Sequence, residues 1–424
     1  MDVESSAIAA IERLKLRCVE NNTRWNVASA IVLSQGGSFE TVAIGCGLKC
    51  LPFSAAVVAG DDAVKDAHAE VLCRRAFLRY LTQQLKHAAK GEKSIFSICS
   101  ERDAQFPFVL NDGIAFHMYV SQSPCGDAST ESLDSSQTSE ERCVNEAKRR
   151  KFESSNIDKV QNDVDALQNK EKETLRKDHN IPLQFISAQS RGLVIRGRHD
   201  YTQKGVLRTK PGRVDSEMSL CMSCSDKMCK WNVLGFSGSL LSLLAAPVYI
   251  RTIVVGDWFD KDALDRALIG RAAGIKHLPS QFQLNAPQIR PSKVPYAFSK
   301  TSLESSKSTE SLPTPSDVCL AWSKGFESKD ALQQLSNNGR KQGHAKRKGV
   351  WMDSSRSQLC NKSLADAFID LVKVMQTWDL SDGESESQHS NGRQDKCPSV
   401  LKLAQVDGFS CSDLKELGVE KGTI

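Results

Sequence analysis

The sequence predicts an α/β sandwich around a mostly continuous sheet. Strand-like runs alternate with segments of helical period, the apolar residues gather in blocks separated by polar stretches, and the short His- and Cys-containing words fall where helices begin. At 424 residues, with 40% hydrophobic and 6% aromatic content, one large domain padded with polar insertions fits better than two full cores.

The first block runs from about Ala7 to Asp127. Ile8, Ile11, Leu14, Leu16 and Val19 recur at helical spacing and predict a helix over 7–20. Ala28 to Ser34 and Thr41 to Gly45 read as strands joined at Gly36-Gly37. Asp66 is placed to cap a helix that continues to about Lys86, with Val71, Leu72, Leu78 and Leu81 as its apolar stripe. Ser94 to Cys99 and Ala115 to Val120 are strand-like, and the second ends at Pro124-Cys125. From 130 to 180 the chain is rich in Ser, Glu, Lys, Asn and Gln, which predicts a disordered polar insertion. Order returns at Ile181. A helix starts at Ser223, and Tyr249 to Val255 has the β-branched content of a buried strand. Residues 299–316 and 380–399 are polar and expected to be flexible, and no internal repeat is visible.

Composition excludes several classes. Met1-Asp2-Val3-Glu4 lacks the start of a signal peptide, so the fourteen cysteines read as reduced thiols of an intracellular protein rather than a disulfide framework. The longest apolar run, Leu240 to Ile250, is interrupted by Pro247 and falls short of the roughly 20 residues a membrane span needs, so no membrane partner is expected. A net charge of +5 and a pI near 8.4 are compatible with a polyanionic partner without demanding one.

The chemistry is concentrated in four words: Asp66-Ala67-His68-Ala69-Glu70, Pro124-Cys125-Gly126-Asp127, Ser223-Cys224-Ser225-Asp226-Lys227 and Trp231-Asn232-Val233-Leu234-Gly235. One imidazole and two thiolates hold zinc with a position left for water, whose pKa falls to about 7, and a carboxylate two residues from the imidazole moves the protons. Such a site deaminates nucleobases. Each word alone is ordinary, since His-Ala-Glu also begins surface helices and a Cys after a strand is common packing. Zinc deaminases usually supply Pro-Cys-x-x-Cys, yet position 128 is Ala128, so the third ligand comes from Cys221, Cys224 or Cys229. Cys221-x-x-Cys224 also fits half of a zinc knuckle, but no His lies nearby to complete one, and Cys224 alone is the preferred ligand.

These words, with Arg74-Arg75 and Gly238-Ser239-Leu240-Leu241-Ser242, resemble the adenosine deaminases that act on RNA, from about Ala7 to Gln376 outside the insertions. The resemblance implies a cytidine-deaminase-like three-layer sandwich with a central mixed sheet, elaborated by polar insertions, and a single editase domain over 1–424. It implies His68, Cys125 and Cys224 as zinc ligands and Glu70 as the catalytic proton shuttle. The catalytic words begin within the first seventy residues, and Arg208-Thr209-Lys210-Pro211-Gly212-Arg213, Gly339-Arg340-Lys341-Gln342-Gly343 and Gly45-Cys46-Gly47-Leu48-Lys49-Cys50 resemble the tRNA-acting branch. The implied substrate is the adenosine 3′ of the anticodon, position 37, of tRNA-Ala. No protein partner is legible.

Two sets of cations carry further expectations. Arg208, Lys210 and Arg213 lie on a Pro/Gly segment before the Cys224 helix, where they either contact tRNA phosphates or form a solvated loop. Lys49, Arg74, Arg75, Lys227, Lys230, Trp231, Ser239 and Arg340 match positions that in the resembled family line a buried inositol hexakisphosphate pocket, and buried cations need such a polyanion. Leu48 departs from the Thr usual in that family, and the family's closing Tyr/Ala/Lys-rich helix and Trp find only a short match at Asp413-Leu414-Lys415 before Ile424, so a truncated or alternatively spliced form is one expectation. The remaining alternatives are an RNA-binding relative with impaired turnover and a free nucleoside or cytidine deaminase. Lys148-Arg149-Arg150-Lys151 reads either as a nuclear import signal or as a charged patch, which leaves nucleus and cytoplasm open.

Overall fold

The computed structural model describes residues 2–14, 24–99, 105–140, 142–144, 146–147, 194–197, 200–210, 217, 219, 221–306 and 313–376. Its centre is a seven-stranded sheet of β1 (Ala28–Gln35), β2 (Ser38–Cys46), β3 (Ala115–Gln122), β4 (Ile250–Asp257), β5 (Gln288–Pro291), β6 (Cys319–Ser323) and β7 (Leu332–Leu335). The spatial order is β5-β4-β3-β1-β2-β6-β7. The β3, β4 and β5 strands run parallel and the remaining pairings are antiparallel, so the sheet is mixed as expected.

Period-two alternation divides the sheet between two cores. Ile31, Leu33, Phe116, Met118, Val120, Ile253 and Val255 face one cluster, and Ala30, Val32, Ile44, Tyr119 and Val254 face the other. The first cluster is covered by α2 (Ala69–Ala89), α3 (Cys224–Leu234), α4 (Lys261–Leu268) and α5 (Asn361–Gln376); the second is covered by α1 (Val3–Arg13). Helices on both faces make the three-layer sandwich. In the larger core the Phe77 ring of α2 meets the Phe116 ring of β3 edge-on, with centroids 4.9 Å apart.

The hairpin at Gly36-Gly37 forms as the sequence predicts, because both glycines have positive φ, 57° and 79°, as a tight hairpin turn requires. The first helix begins earlier than its apolar spacing implies, since Asp2 accepts the Ser5 amide at 3.0 Å and starts α1 at Val3. Leu16 and Val19 lie outside the described residues. Asp66 is not the cap of α2. It sits in the short strand Asp66–His68, paired with Leu48–Cys50, and His68 occupies the cap position. The Ser94 to Cys99 run contributes Phe96–Ile98, which pairs with Phe108–Leu110 away from the central sheet.

Two polar stretches are more ordered than composition implies. Thr130–Ser136 is helical with Thr130 buried, held through Asp127 and Glu131 by Arg266 of α4. Lys300–Ser305 is a helix capped by Ser299, with Leu303 buried, and Thr314–Pro315 pairs with Arg24–Trp25. Polar residues satisfy caps and ion pairs here, functions a hydropathy reading does not register. Lys148 to Lys151, the bulk of the 130–180 stretch and all of 380–399 lie outside the described residues.

Gly45 sets the distance between α2 and the sheet. A Cβ there would lie 2.3 Å from both the Ala69 carbonyl oxygen and the Cys73 amide nitrogen. Backbone atoms cannot yield as a flexible side chain does, so Gly45→Ala should lift the start of α2 and cost about 1–3 kcal/mol by overpacking. Urea unfolding reads this out; a midpoint equal to the unsubstituted chain's would show that the helix does not depend on that close approach.

Candidate active site

The site forms where the start of α2, the chain after β3 and the start of α3 converge. His68 leaves its strand with extended backbone (φ −69°, ψ 149°), and the Ala69 amide, otherwise an orphan at the helix start, donates to the Gly47 carbonyl at 3.0 Å. Beyond β3, the Ser123 amide donates to Asp257 at 2.9 Å and its hydroxyl to Trp258 at 2.6 Å, fixing the turn that presents Cys125. Gly126 follows at φ 106°, and a Cβ there would lie 2.1 Å from Ser223 Oγ, so only glycine lets this turn meet α3. Ser223 caps α3 by accepting the Asp226 amide at 3.2 Å, and Cys224 is the first helical residue.

His68 Nδ1 lies 3.7 Å from Cys125 Sγ and 3.6 Å from Cys224 Sγ. Ligand atoms bound tetrahedrally to one zinc, at Zn–N about 2.05 Å and Zn–S about 2.3 Å, are about 3.6 Å apart, so the three donors fit the ion. All three ligand atoms lie within 4.8 Å of one another, and neither Cys221 nor Cys229 belongs to the group. The Cys224 amide donates to Cys125 Sγ at 3.3 Å, placing that sulfur at the positive end of α3. A hydrogen bond from Cys224, assisted by Lys210 and His68 against the opposing effect of burial, holds the Cys125 thiol well below the ordinary range. Cys221 is engaged elsewhere: a hydrogen bond with Cys50 is the main cause that lowers its thiol to about 6.

Glu70 occupies the second residue of α2 and is 3% exposed. Its Oε2 lies 3.1 Å from Cys224 Sγ. Burial, then the neighbouring Cys125, raises its carboxyl above the usual range, which suits a group that takes up and returns a proton.

Beneath the sulfurs runs a charged chain that sequence reasoning did not find. Lys210 Nζ donates to Cys224 Sγ at 3.1 Å and to Asp66 Oδ2 at 2.7 Å, and Lys227 Nζ donates to the same carboxylate oxygen. Burial opposes ionisation of Asp66, but Lys210, Lys227 and His68 outweigh it and hold the carboxyl below its ordinary range. Burial likewise opposes the charge on Lys210, and Asp66 with the sulfurs overcomes it. No spacing rule links 66, 210 and 227; only the fold does.

The expected RNA contacts are corrected here. Leu207–Thr209 is a strand paired with Val194–Arg196 rather than an open Pro/Gly loop. Arg208 is fully buried and donates to the carbonyls of Gly197 (3.0 Å), Asp200 (3.0 Å) and Gln203 (2.7 Å). Lys210, 2% exposed, serves the sulfur and Asp66, so neither side chain reaches an RNA phosphate. Arg213 lies outside the described residues.

The second cation set is brought together only in part. Arg74 is half-buried, its guanidinium 5.0 Å from the Trp231 ring and its buried Nε without a hydrogen-bond partner; Ser239 Oγ is also buried and unpartnered. Burial, then Arg75, pushes the Arg74 guanidinium down to about 9. Burial first, then Arg74 and Lys227, lowers the Lys230 ammonium as well. Arg75 donates to the Leu359 carbonyl at 2.7 Å and Asn361 Oδ1 at 2.8 Å, and Arg340 donates to Ser355 Oγ at 3.0 Å. Lys49 stands apart, its Nζ 2.7 Å from Asp317 Oδ1 at the surface.

A family model described as the adenosine-deaminase (editase) domain matches residues 43–395. The double-stranded RNA-specific editase Adar of Drosophila melanogaster is 29% identical over 277 residues, 64% of this chain but 35% of that protein. The tRNA-specific adenosine deaminase 1 of Homo sapiens is 28% identical over 470 residues, 92% of this chain and 88% of that protein. The Drosophila melanogaster protein of that name is 30% identical over 362 residues, covering 82% of this chain and 76% of its own length.

The ligand geometry distinguishes neighbouring cysteines. Cys224→Ser should lose stoichiometric zinc in elemental analysis while Cys221→Ser retains it, because only the first removes a donor from the three-atom group. Retention by Cys224→Ser with loss by Cys221→Ser would reverse the ligand assignment.

Proposed function

The chain belongs to the adenosine-deaminase (editase) domain family, and from that premise we propose that it converts adenosine to inosine in tRNA, at position 37 of tRNA-Ala. The observation that carries the chemistry is the joining of His68, Cys125 and Cys224 around one point, with buried Glu70 at its edge. The tRNA assignment is supported by coverage: the chain spans 88% of the human tRNA-specific relative and 35% of the fly double-stranded RNA editase. An anticodon-loop adenosine is already unpaired, so presenting it costs less than extracting a base from a duplex.

His68, Cys125 and Cys224 would hold zinc, which supplies the Lewis acidity that makes water nucleophilic at neutral pH. Glu70 accepts a proton as water adds at C6 and delivers protons to the ring nitrogen and the departing amine, so that adenosine and water become inosine and ammonia. Lys210 and Asp66 fix the electrostatics on the far side of Cys224.

Arg74, Arg75, Lys227, Lys230, Trp231, Ser239 and Arg340 are assigned to inositol hexakisphosphate. The support is local: the Arg74 Nε and Ser239 Oγ are buried donors awaiting acceptors, and the Arg74–Arg75 pair lacks a buried carboxylate of its own among the described ion pairs. Lys49, which stands apart at the surface beside exposed Asp317, is left out, while Lys227 and Arg340 would divide their charge between the polyphosphate and Asp66 or Asp62. Residues 1–424 are read as one editase domain carrying polar insertions, working in the nucleus or the cytoplasm. Among the described residues no helix is long and apolar enough to cross a membrane.

Two measurements bear on this reading. Glu70→Gln should bind full zinc yet lower inosine formation in tRNA-Ala transcripts by about 100-fold or more, the scale of a lost general acid–base; turnover near that of the unsubstituted enzyme would remove Glu70 from the mechanism. Purified protein should contain phosphorus in the proportion of one hexakisphosphate per chain, and Arg74→Ala should release it; zinc-replete, active protein free of phosphorus would refute the polyphosphate assignment.

A further inference from the structure

Several surface lysines have a carboxylate beside them, Lys261 with Asp265, Lys300 with Glu304, Lys324 with Glu40, Lys329 with Glu327 and Lys362 with Asp366, whereas Lys90, Lys93, Lys276 and Lys293 are exposed with no ion pair among the described residues. The segment 341–352 gathers four basic side chains of the unpaired kind into one short stretch. Lys346, Arg347 and Lys348 are exposed and Lys341 is half-buried, and among the described residues none of the four is in an ion pair. Acidic side chains nearby are already engaged, Asp62 by Arg340 and Arg356, and Asp353 by Arg356.

The segment is also ordered by its own backbone. The Arg347 amide donates to the Val350 carbonyl at 2.9 Å and the Val350 amide returns the bond at 3.0 Å. Lys348 and Gly349 between them have φ of 49° and 81°, the pair of positive values that closes a tight two-residue hairpin. A lysine held at positive φ is strained by its side chain, so local sequence preference alone does not explain Lys348 at this position. Trp351 braces the hairpin, its ring centroid 5.0 Å from the Arg340 guanidinium and 6.0 Å from Lys346 Nζ. Val350 is 64% exposed and Met352 46% exposed alongside.

The base of the hairpin is fastened to the chain that enters the site. The Val64 amide donates to the Gly339 carbonyl at 2.9 Å, and a Cβ on Gly339 would lie 2.2 Å from the Val64 carbonyl oxygen. The Lys341 amide donates to Ser355 at 2.9 Å and the Gln342 amide to Gln334 at 2.9 Å. Val64 stands four residues before His68 and just ahead of the strand Asp66–His68, so this hydrogen bond ties the base of the hairpin to the chain that leads into the site.

We propose that this hairpin, through Lys341, Lys346, Arg347 and Lys348, is a docking surface for the phosphate backbone of the RNA substrate. Three exposed cations at the hairpin tip and half-buried Lys341 at its base, none ion-paired among the described residues, suit a string of phosphates rather than one small anion, and their attraction is released as counterions return at higher salt. The exposed Val350 and Met352 give the ribbon an apolar edge for sugar and base faces. Arg208 and Lys210, by contrast, are spent inside the protein. The inference rests on the RNA-deaminase reading and adds where the substrate is held.

The test uses the full zinc-loaded chain, a tRNA-Ala transcript, and the variant K341Q/K346Q/R347Q/K348N, in which Asn tolerates the positive φ at 348. The variant's Kd for the transcript at about 0.1 M salt should rise about tenfold or more, and the slope of log K against log salt should shrink by about 2–4, since each lost phosphate contact removes about 0.7–0.9. Once the transcript saturates, kcat should change less than about twofold, because the hairpin does not touch the reacting base. Should the quadruple variant lose zinc or fold, K346E alone, expected to weaken binding about threefold or more, supplies the same comparison. Equal Kd and equal salt slope in variant and parent, or no transcript binding by the parent, would overturn the docking surface. Salt-dependent binding that the variant loses, without inosine in the bound transcript, would instead sink the choice of tRNA-Ala as substrate and leave the hairpin assignment standing.

Discussion

A single buried carboxylate makes the interior of this protein electrostatically possible. Asp66, 4% exposed, receives Lys210 and Lys227 on one oxygen, and Lys210 passes on to the sulfur of Cys224. Either ammonium alone in that environment would face a desolvation penalty of several kcal/mol. The pairing also explains why Asp66 belongs to a strand rather than to a helix cap. As a cap its carboxylate would be consumed by backbone amides, and the two lysines would have no partner. Everything else at the site is arranged around this charge: His68 two residues later takes over the cap position, and Glu70 is left free of ion pairs to face the sulfurs.

The sheet and the site differed in how legible they were. Hairpin glycines at 36 and 37, the stripe of α2 and the β-branched run ending at Val255 are local signals, and each is found where periodicity puts it. His68, Cys125 and Cys224 were legible because their residue types are rare in combination, even at separations of 57 and 99 residues. The fates of the cations were not legible. Arg208, Lys210 and Lys341 have the same composition and similar Gly-rich neighbours, yet the first two are buried by pairing of Leu207–Thr209 with Val194–Arg196 and by Asp66, while the third stays near solvent. Burial of a charge is decided by long-range partners that no short window contains. The same cause hid the helices at Thr130–Ser136 and Lys300–Ser305, whose polar faces are satisfied by Arg266 and by a Ser cap rather than by an apolar stripe.

The basic residues include at least three populations. Some are neutralised internally by carboxylates or carbonyls, some are packed against aromatic rings with donors left over, as Arg74 is against Trp231, and some project from the 341–352 hairpin with no ion pair among the described residues. A modest overall charge of +5 conceals this division. Surface lysines paired at i,i+4 contribute little field beyond their own helix, so the unpaired cations, of which the hairpin holds a cluster, shape what an approaching polyanion meets.

The buried pairing of Glu4 with Arg290, at 2.8 and 2.6 Å, ties α1 to β5 across 286 positions. On a ribosome adding about 5–20 residues per second, roughly 15–60 s separate the emergence of the two partners. Throughout that interval Glu4 lacks its Arg290 partner, although β1 and β2, the strands on which Val3, Ala7, Ile8 and Ile11 pack, have already emerged. The carboxylate of Glu4 thus waits for its ion-pair partner until about two thirds of the chain has been translated, and the salt bridge locks a helix that its hydrophobic face has already been able to seat.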